Sequence, residues 1–216
     1  FKWIGKQLQF FRSFILLGAL AITGIAILVL GQVNPRSLQF TGVSLPLIFM
    51  SIALSVILFS FSYRRSALRA WFCLLTGHIY ILAALLLNAD QVNITETGLY
   101  TSGVLMAFLL GYYCLQKINS IDRDISLNRF HGYVYEEETT GFLFLLAALG
   151  MLGFPITAAF IGVDVFFTYV HSGQAALIIL LGLCFIFIEL AAFRILLRIF
   201  FGPHKKLNHP VAFRSS

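Results

Sequence analysis

Residues 141–170 read GFLFLLAALGMLGFPITAAFIGVDVFFTYV, thirty residues with a single charge, Asp164. A bilayer core about 30 Å thick is crossed by about 20 apolar helical residues. As one straight helix this run would reach about 45 Å, too long for that core. Its middle carries Gly150-Met151-Leu152-Gly153-Phe154-Pro155-Ile156-Thr157. Pro155 lacks an amide donor and its ring collides with the preceding turn, while Gly153 lets the chain bend. The run therefore predicts a helix broken near Gly153–Pro155. A break at membrane depth exposes backbone polar groups, which only protein or a water-filled cavity can satisfy. An ordinary proline kink in a tilted helix is the plain alternative.

The same reading extends along the chain. Apolar runs at 14–33, 43–63, 70–89, 97–116 and 175–200 join 141–170 as membrane spans. The expected fold is all-α, a polytopic membrane helix bundle of about six transmembrane helices, in a single domain. Hydrophobic residues make up 59% of the 216 residues and charged residues 11%. A soluble domain carries about 25% charged residues, so most of this exterior must face lipid rather than water. Long apolar runs argue against a transmembrane barrel, whose strands alternate polar and apolar. The net charge of +6 comes from bases in short clusters between the spans, which reads as topology and not as nucleic-acid binding. If every span crosses once, fourteen of the fifteen Lys and Arg residues fall on one side and only Arg36 on the other. The positive-inside rule then places both termini in the cytoplasm, with a bacterial inner membrane as the expected location. The chain begins at Phe1 without a leader pattern, which predicts a fragment or a processed chain.

Three ionisable residues fall at bilayer depth: His78, Asp164 and Glu189. A charge there costs at least about 2.5 kcal/mol, so such residues face the bundle interior and mark proton or ion paths. Each has a plainer role. His78 could be a neutral imidazole bonded to a backbone carbonyl. Glu189 could pair with Arg194 or with a partner subunit. Asp164 could satisfy the broken backbone. Asp164 is the preferred proton carrier, because a carboxylate and a break coincide there. His171 and His204 read as interfacial. The stretch 117–140, with Glu136-Glu137-Glu138, reads as a solvated helix cap or a docking surface. Cys73, Cys114 and Cys184 match no metal spacing and read as small apolar residues. The triplet Asn93-Ile94-Thr95 fits a glycosylation pattern that is common by chance. No cofactor and no metal is expected, and a membrane enzyme built on His78 would need a carboxylate within hydrogen-bond reach.

Asn128-Arg129-Phe130-His131-Gly132, the run Gly141 to Asp164, and Arg194 to His204 together resemble the C-terminal part of the antiporter-like subunits of respiratory complex I. Mrp-type cation/proton antiporters and the membrane subunit of the DAB inorganic-carbon transporter belong to the same superfamily. The most specific piece is Leu149 to Asp164, which is similar to a late broken helix where a Gly-x-Pro break precedes Phe-x-Gly or Phe-x-Ser and then a charge. Gly-Phe-Pro-Ile-Thr and the Gly-Pro-His ending sit closer to the carbon-transporter branch. The resemblance covers roughly residues 128–216, and the first four spans match only in hydrophobicity. It implies proton movement coupled to other membrane or peripheral subunits, with inorganic-carbon uptake as one version. Two departures matter. The family's charge after the break falls on Val163, leaving only Asp164 beside it. No lysine lies within any of the spans, so the proton-loading half is absent or supplied elsewhere. A non-conducting structural subunit is therefore the second expectation.

Overall fold

The computed structural model describes residues 39–40, 43–89, 92–171 and 173–203. The predicted span 14–33 lies outside the described residues. A two-residue antiparallel ladder, Gln39–Phe40 against Val43–Ser44, leads into the first helix. The helices are α1 (Leu45–Phe59), α2 (Ala67–Asn88), α3 (Ile94–Asp122), α4 (Glu138–Met151), α5 (Ala158–Thr168) and α6 (Ala175–Ile199). Single 3-10 turns follow α1 at Ser60–Ser62 and precede α4 at Tyr133–Tyr135. Among the described residues, four helices are long and apolar enough to cross a membrane: α1 with its 3-10 turn, α2, α3 and α6. They coincide with the predicted spans 43–63, 70–89, 97–116 and 175–200.

Local sequence explains the helix ends. Pro46 sits in the first turn of α1, where its missing N–H costs nothing. Ser66 caps α2 by accepting from the Arg69 amide, and Asn93 caps α3 by accepting from the Glu96 amide. That engages the side chain of Asn93 in helix initiation. The predicted 141–170 run is occupied by two helices, α4 of 14 residues and α5 of 11, separated at 152–157. α4 ends in a Schellman motif: the Phe154 amide donates to the Leu149 carbonyl and the Gly153 amide to the Gly150 carbonyl. Gly153 takes the left-handed φ of +65° that this motif requires. Pro155 stands four residues after Met151 and has no N–H, so the Met151 carbonyl cannot be paired by a continuing helix.

One boundary differs from the sequence reading. α3 continues to Asp122, so Lys117, expected in a loop, lies in its last turns. The long α3 packs along both α4 and α5, while α2 contacts α1, α3 and α6. α3 and α5 approach closely at two glycines. A Cβ on Gly103 would stand 2.4 Å from the Ala159 nitrogen, and one on Gly162 would stand 2.2 Å from Tyr100 Cβ.

The connections sort to two ends. At one end the Ala67 amide donates to the Ile125 carbonyl, Leu127 to Arg64, His131 to Arg198 and Val134 to Phe200. All described Lys and Arg residues gather toward this end. At the other end Asn88 and Gln174 exchange amide hydrogen bonds, and Asn88 also donates to the Tyr169 carbonyl. The Tyr169 hydroxyl accepts from the Asn93 amide there.

Candidate functional site

α2 carries His78 at its middle and α3 carries Tyr100 in its second turn, and the packing of the two helices brings these side chains together. His78 Nδ1 and the Tyr100 hydroxyl are 2.6 Å apart. Both residues are buried, at 2% and 1% exposure, so water cannot substitute for either partner. The Tyr100 ring is fixed edge-on against Phe166 of α5, with centroids 4.3 Å apart, and lies over Gly162. The second ring nitrogen, Nε2, is buried with no partner in hydrogen-bond geometry among the described residues. The Met151 backbone is also near the imidazole. The pair therefore sits where α4 ends.

Proton placement follows from counting partners. If the Tyr100 hydroxyl donates to Nδ1, the ring proton lies on Nε2. In the reverse tautomer the hydroxyl proton and the Nε2 lone pair both lack a partner among the described residues. The first arrangement leaves fewer buried polar groups unpaired, so it is the favoured one.

The other sequence candidates lie apart from this pair. Asp164, on α5, and Glu189, on α6, are both exposed on the surface of the bundle, and neither makes a hydrogen bond or ion pair among the described residues. Neither comes within hydrogen-bond reach of His78, whose side-chain partner is Tyr100. Glu189 does not pair with Arg194. Arg194 instead donates to the Phe61 carbonyl at 3.2 Å and stacks over the Phe61 ring. Val163, where the resemblance expects a charge, has its Cγ2 2.8 Å from the position a Cβ on Gly153 would take. It packs against the break. The three cysteines are buried and unbridged. Tyr100 was not a sequence candidate.

The basic end is held by side-chain clasps. Lys117 Nζ lies 2.5 Å from Glu137 and donates to the Thr140 hydroxyl at 3.0 Å. These hydrogen bonds, first that of Lys117 and then that of Thr140, hold the Glu137 carboxyl below its usual range. Tyr133 donates to Asp122. Burial first, and then the Asp122 carboxylate, push the Tyr133 hydroxyl pKa up. Asp124 pairs with Arg129 at 2.6 Å. Burial raises its pKa, but hydrogen bonds from Ser126 and the Arg129 charge outweigh that and hold it low.

A bundle of long apolar helices, with polar clasps at the two ends and the buried His78–Tyr100 pair between them, defines an integral membrane protein. No protein family, curated protein or solved structure matches the chain.

Proposed function

We propose that this chain is a proton-translocating, antiporter-like membrane subunit of a larger transport or respiratory complex. The observation that carries the reading is the buried His78–Tyr100 pair beside the end of α4. A neutral imidazole accepts a proton at one nitrogen and releases one at the other, and histidine titrates closer to neutral pH than other side chains. Tyr100 serves the Nδ1 face of that relay, and Nε2, which has no partner among the described residues, is the other. α4 and α5 together form a single interrupted crossing. They run antiparallel along α3, from Lys117 beside Glu137, through Ala107 beside Gly150, to Tyr100 beside Gly162. With 14–33 as a further span, the crossings number six and both termini share the basic, cytoplasmic side. Interrupted helices of this kind expose backbone carbonyls to ions at the bilayer midplane in transporters.

Asp164 and Glu189 take a different part in this reading. A carboxylate on the outer face of a membrane helix is costly in lipid. Their exposure supports contact with neighbouring subunits, whose polar groups would satisfy the two carboxylates away from lipid. The same exposure, with Val163 filling the expected charge position, supports the second reading, a structural subunit that does not conduct.

Proton uptake separates the two. The complex containing this chain is reconstituted in vesicles with a pH-sensitive dye inside. His78→Gln keeps hydrogen-bonding capacity but cannot carry a proton, and is expected to cut uptake at least about tenfold, as loss of a positioned proton carrier does. Unchanged uptake in His78→Gln rejects the relay. Asp164→Asn and Glu189→Gln are expected to reduce uptake only when the neighbouring subunits are present.

A further inference from the structure

The basic end holds a feature that the proton relay does not use. A cavity of about 420 Å³ opens beside the start of α2, lined by Ser62, Arg64, Arg65, Ser66, Arg69 and Asn128. Its size is that of a small-ligand site, about 300–1,000 Å³. Three guanidinium groups line it and no carboxylate does. Three carboxylates of this end are engaged elsewhere: Asp122 by Tyr133, Asp124 by Arg129 and Glu137 by Lys117. Arg64 and Arg65 are exposed and make no ion pair among the described residues. Arg194 lies in the field of Arg64 and Arg198, so the local charge excess extends past the cavity wall. The positive end of the α2 dipole points to the same place.

The geometry points to a binding site for a phosphate ester, with the headgroup of an anionic phospholipid as its occupant. Guanidinium forks bind phosphate oxygens in pairs, and the Ser62 and Ser66 hydroxyls and the Asn128 amide add neutral donors. The cavity stands at the membrane boundary. Leu58 and Phe59, in the last turn of α1, are exposed just before it, at 41% and 59%. They offer an apolar path for acyl chains leading away from the bound headgroup. A soluble phosphate would use the arginines without that path.

The test uses the full chain in phosphatidylcholine nanodiscs, with phosphatidylglycerol added in one arm and inorganic phosphate in the other. Native mass spectrometry reads the bound lipid and equilibrium dialysis the bound phosphate. The wild-type chain is expected to retain one phosphatidylglycerol. Arg64→Ala/Arg65→Ala is expected to weaken it on the order of thirtyfold, at the usual worth of a basic residue near an anionic lipid. Arg123→Ala/Arg129→Ala, at the same end but off the cavity, is expected to bind like the wild type. Arg64→Lys/Arg65→Lys keeps the charge, guards against misfolding and should bind with intermediate strength, because it lacks the paired fork. Arginine-dependent binding of inorganic phosphate in phosphatidylcholine alone would support the phosphate chemistry while assigning it to a soluble ligand. Retention unaffected by Arg64→Ala/Arg65→Ala, or lost equally in Arg123→Ala/Arg129→Ala, overturns the site.

Discussion

Replacing Tyr100 by Phe removes one oxygen and leaves the ring contacts with Phe166 and Gly162 in place. His78 Nδ1, 2.6 Å from that oxygen, then has no partner in a site that water does not reach. Stranding a buried polar group costs about 1–3 kcal/mol. Interhelical polar contacts in membrane proteins average about 0.6 and reach about 1.7 kcal/mol, because the unfolded chain in lipid also finds partners. The short distance and full burial place this pair in the upper part of that range, so Tyr100→Phe should cost about 1–2 kcal/mol. At about 1.4 kcal/mol per factor of ten, the folding equilibrium should shift roughly five- to thirtyfold. Reversible unfolding in mixed micelles, followed by helical circular dichroism as dodecyl sulfate is added, measures it. A double-mutant cycle with His78→Leu isolates the pair from the loss of either side chain alone. The nitrogen chemical shifts of the His78 ring report the proton on Nε2 in the wild type. The reasoning fails if Tyr100→Phe changes stability by less than about 0.3 kcal/mol and adds simply to His78→Leu. A ring proton found on Nδ1 would overturn the assignment of donor and acceptor.

Gly162→Val should force α5 away from α3, since even the first side-chain carbon would stand 2.2 Å from Tyr100 Cβ. Overpacking of this kind costs about 1–3 kcal/mol, and thermal unfolding of the purified chain in detergent should show it. Gly153→Ala should destabilise by at least about 1 kcal/mol, because it puts a side chain at positive φ and pushes on Val163. The same unfolding assay checks it, and a wild-type midpoint would show that the Schellman turn can be rebuilt without glycine. The Lys117–Glu137 clasp sets an acid dependence. The Glu137 carboxyl is held below its ordinary value of 4.5, so its contribution is present above that value and is lost as pH falls through the lower, folded-state pKa. Stability measured downward from pH 6 should therefore fall less steeply in Glu137→Gln than in the wild type, and parallel profiles would contradict the clasp.

The sequence was legible where physics acts along the chain. Four of the predicted spans are helices because length and hydropathy alone decide whether a segment suits lipid. The turn after α4 rests on Gly153 and Pro155, since a left-handed φ and a missing donor are local matters. Partners across helices were not legible. Tyr100 sits one turn after Glu96 in a run that reads as a membrane span, and nothing local says which neighbouring helix its hydroxyl meets. Its only signal was a hydroxyl-bearing ring within that span. The facing of Asp164 was equally hidden. In a soluble helix the apolar stripe marks the inside, but α5 is apolar all round apart from Asp164 and Thr168, so periodicity does not separate lipid from interior. Lys117 was misplaced because α3 extends past the apolar run, ending only at a left-handed Arg123.

The two ends of the bundle are fastened by different means. One is stitched by main-chain bonds from Ala67, Leu127, His131 and Val134 to neighbouring segments. The other is held chiefly by the side chains of Asn88, Gln174 and Tyr169. Side-chain amides can swap partners by rotating, whereas a main-chain bond can be replaced only by moving the backbone. The bundle thus resembles a fan pinned at its basic rim, and its helices can part farthest at the amide rim. Slow motions should accordingly grow along each helix with distance from the pin, a gradient that amide hydrogen exchange can follow residue by residue.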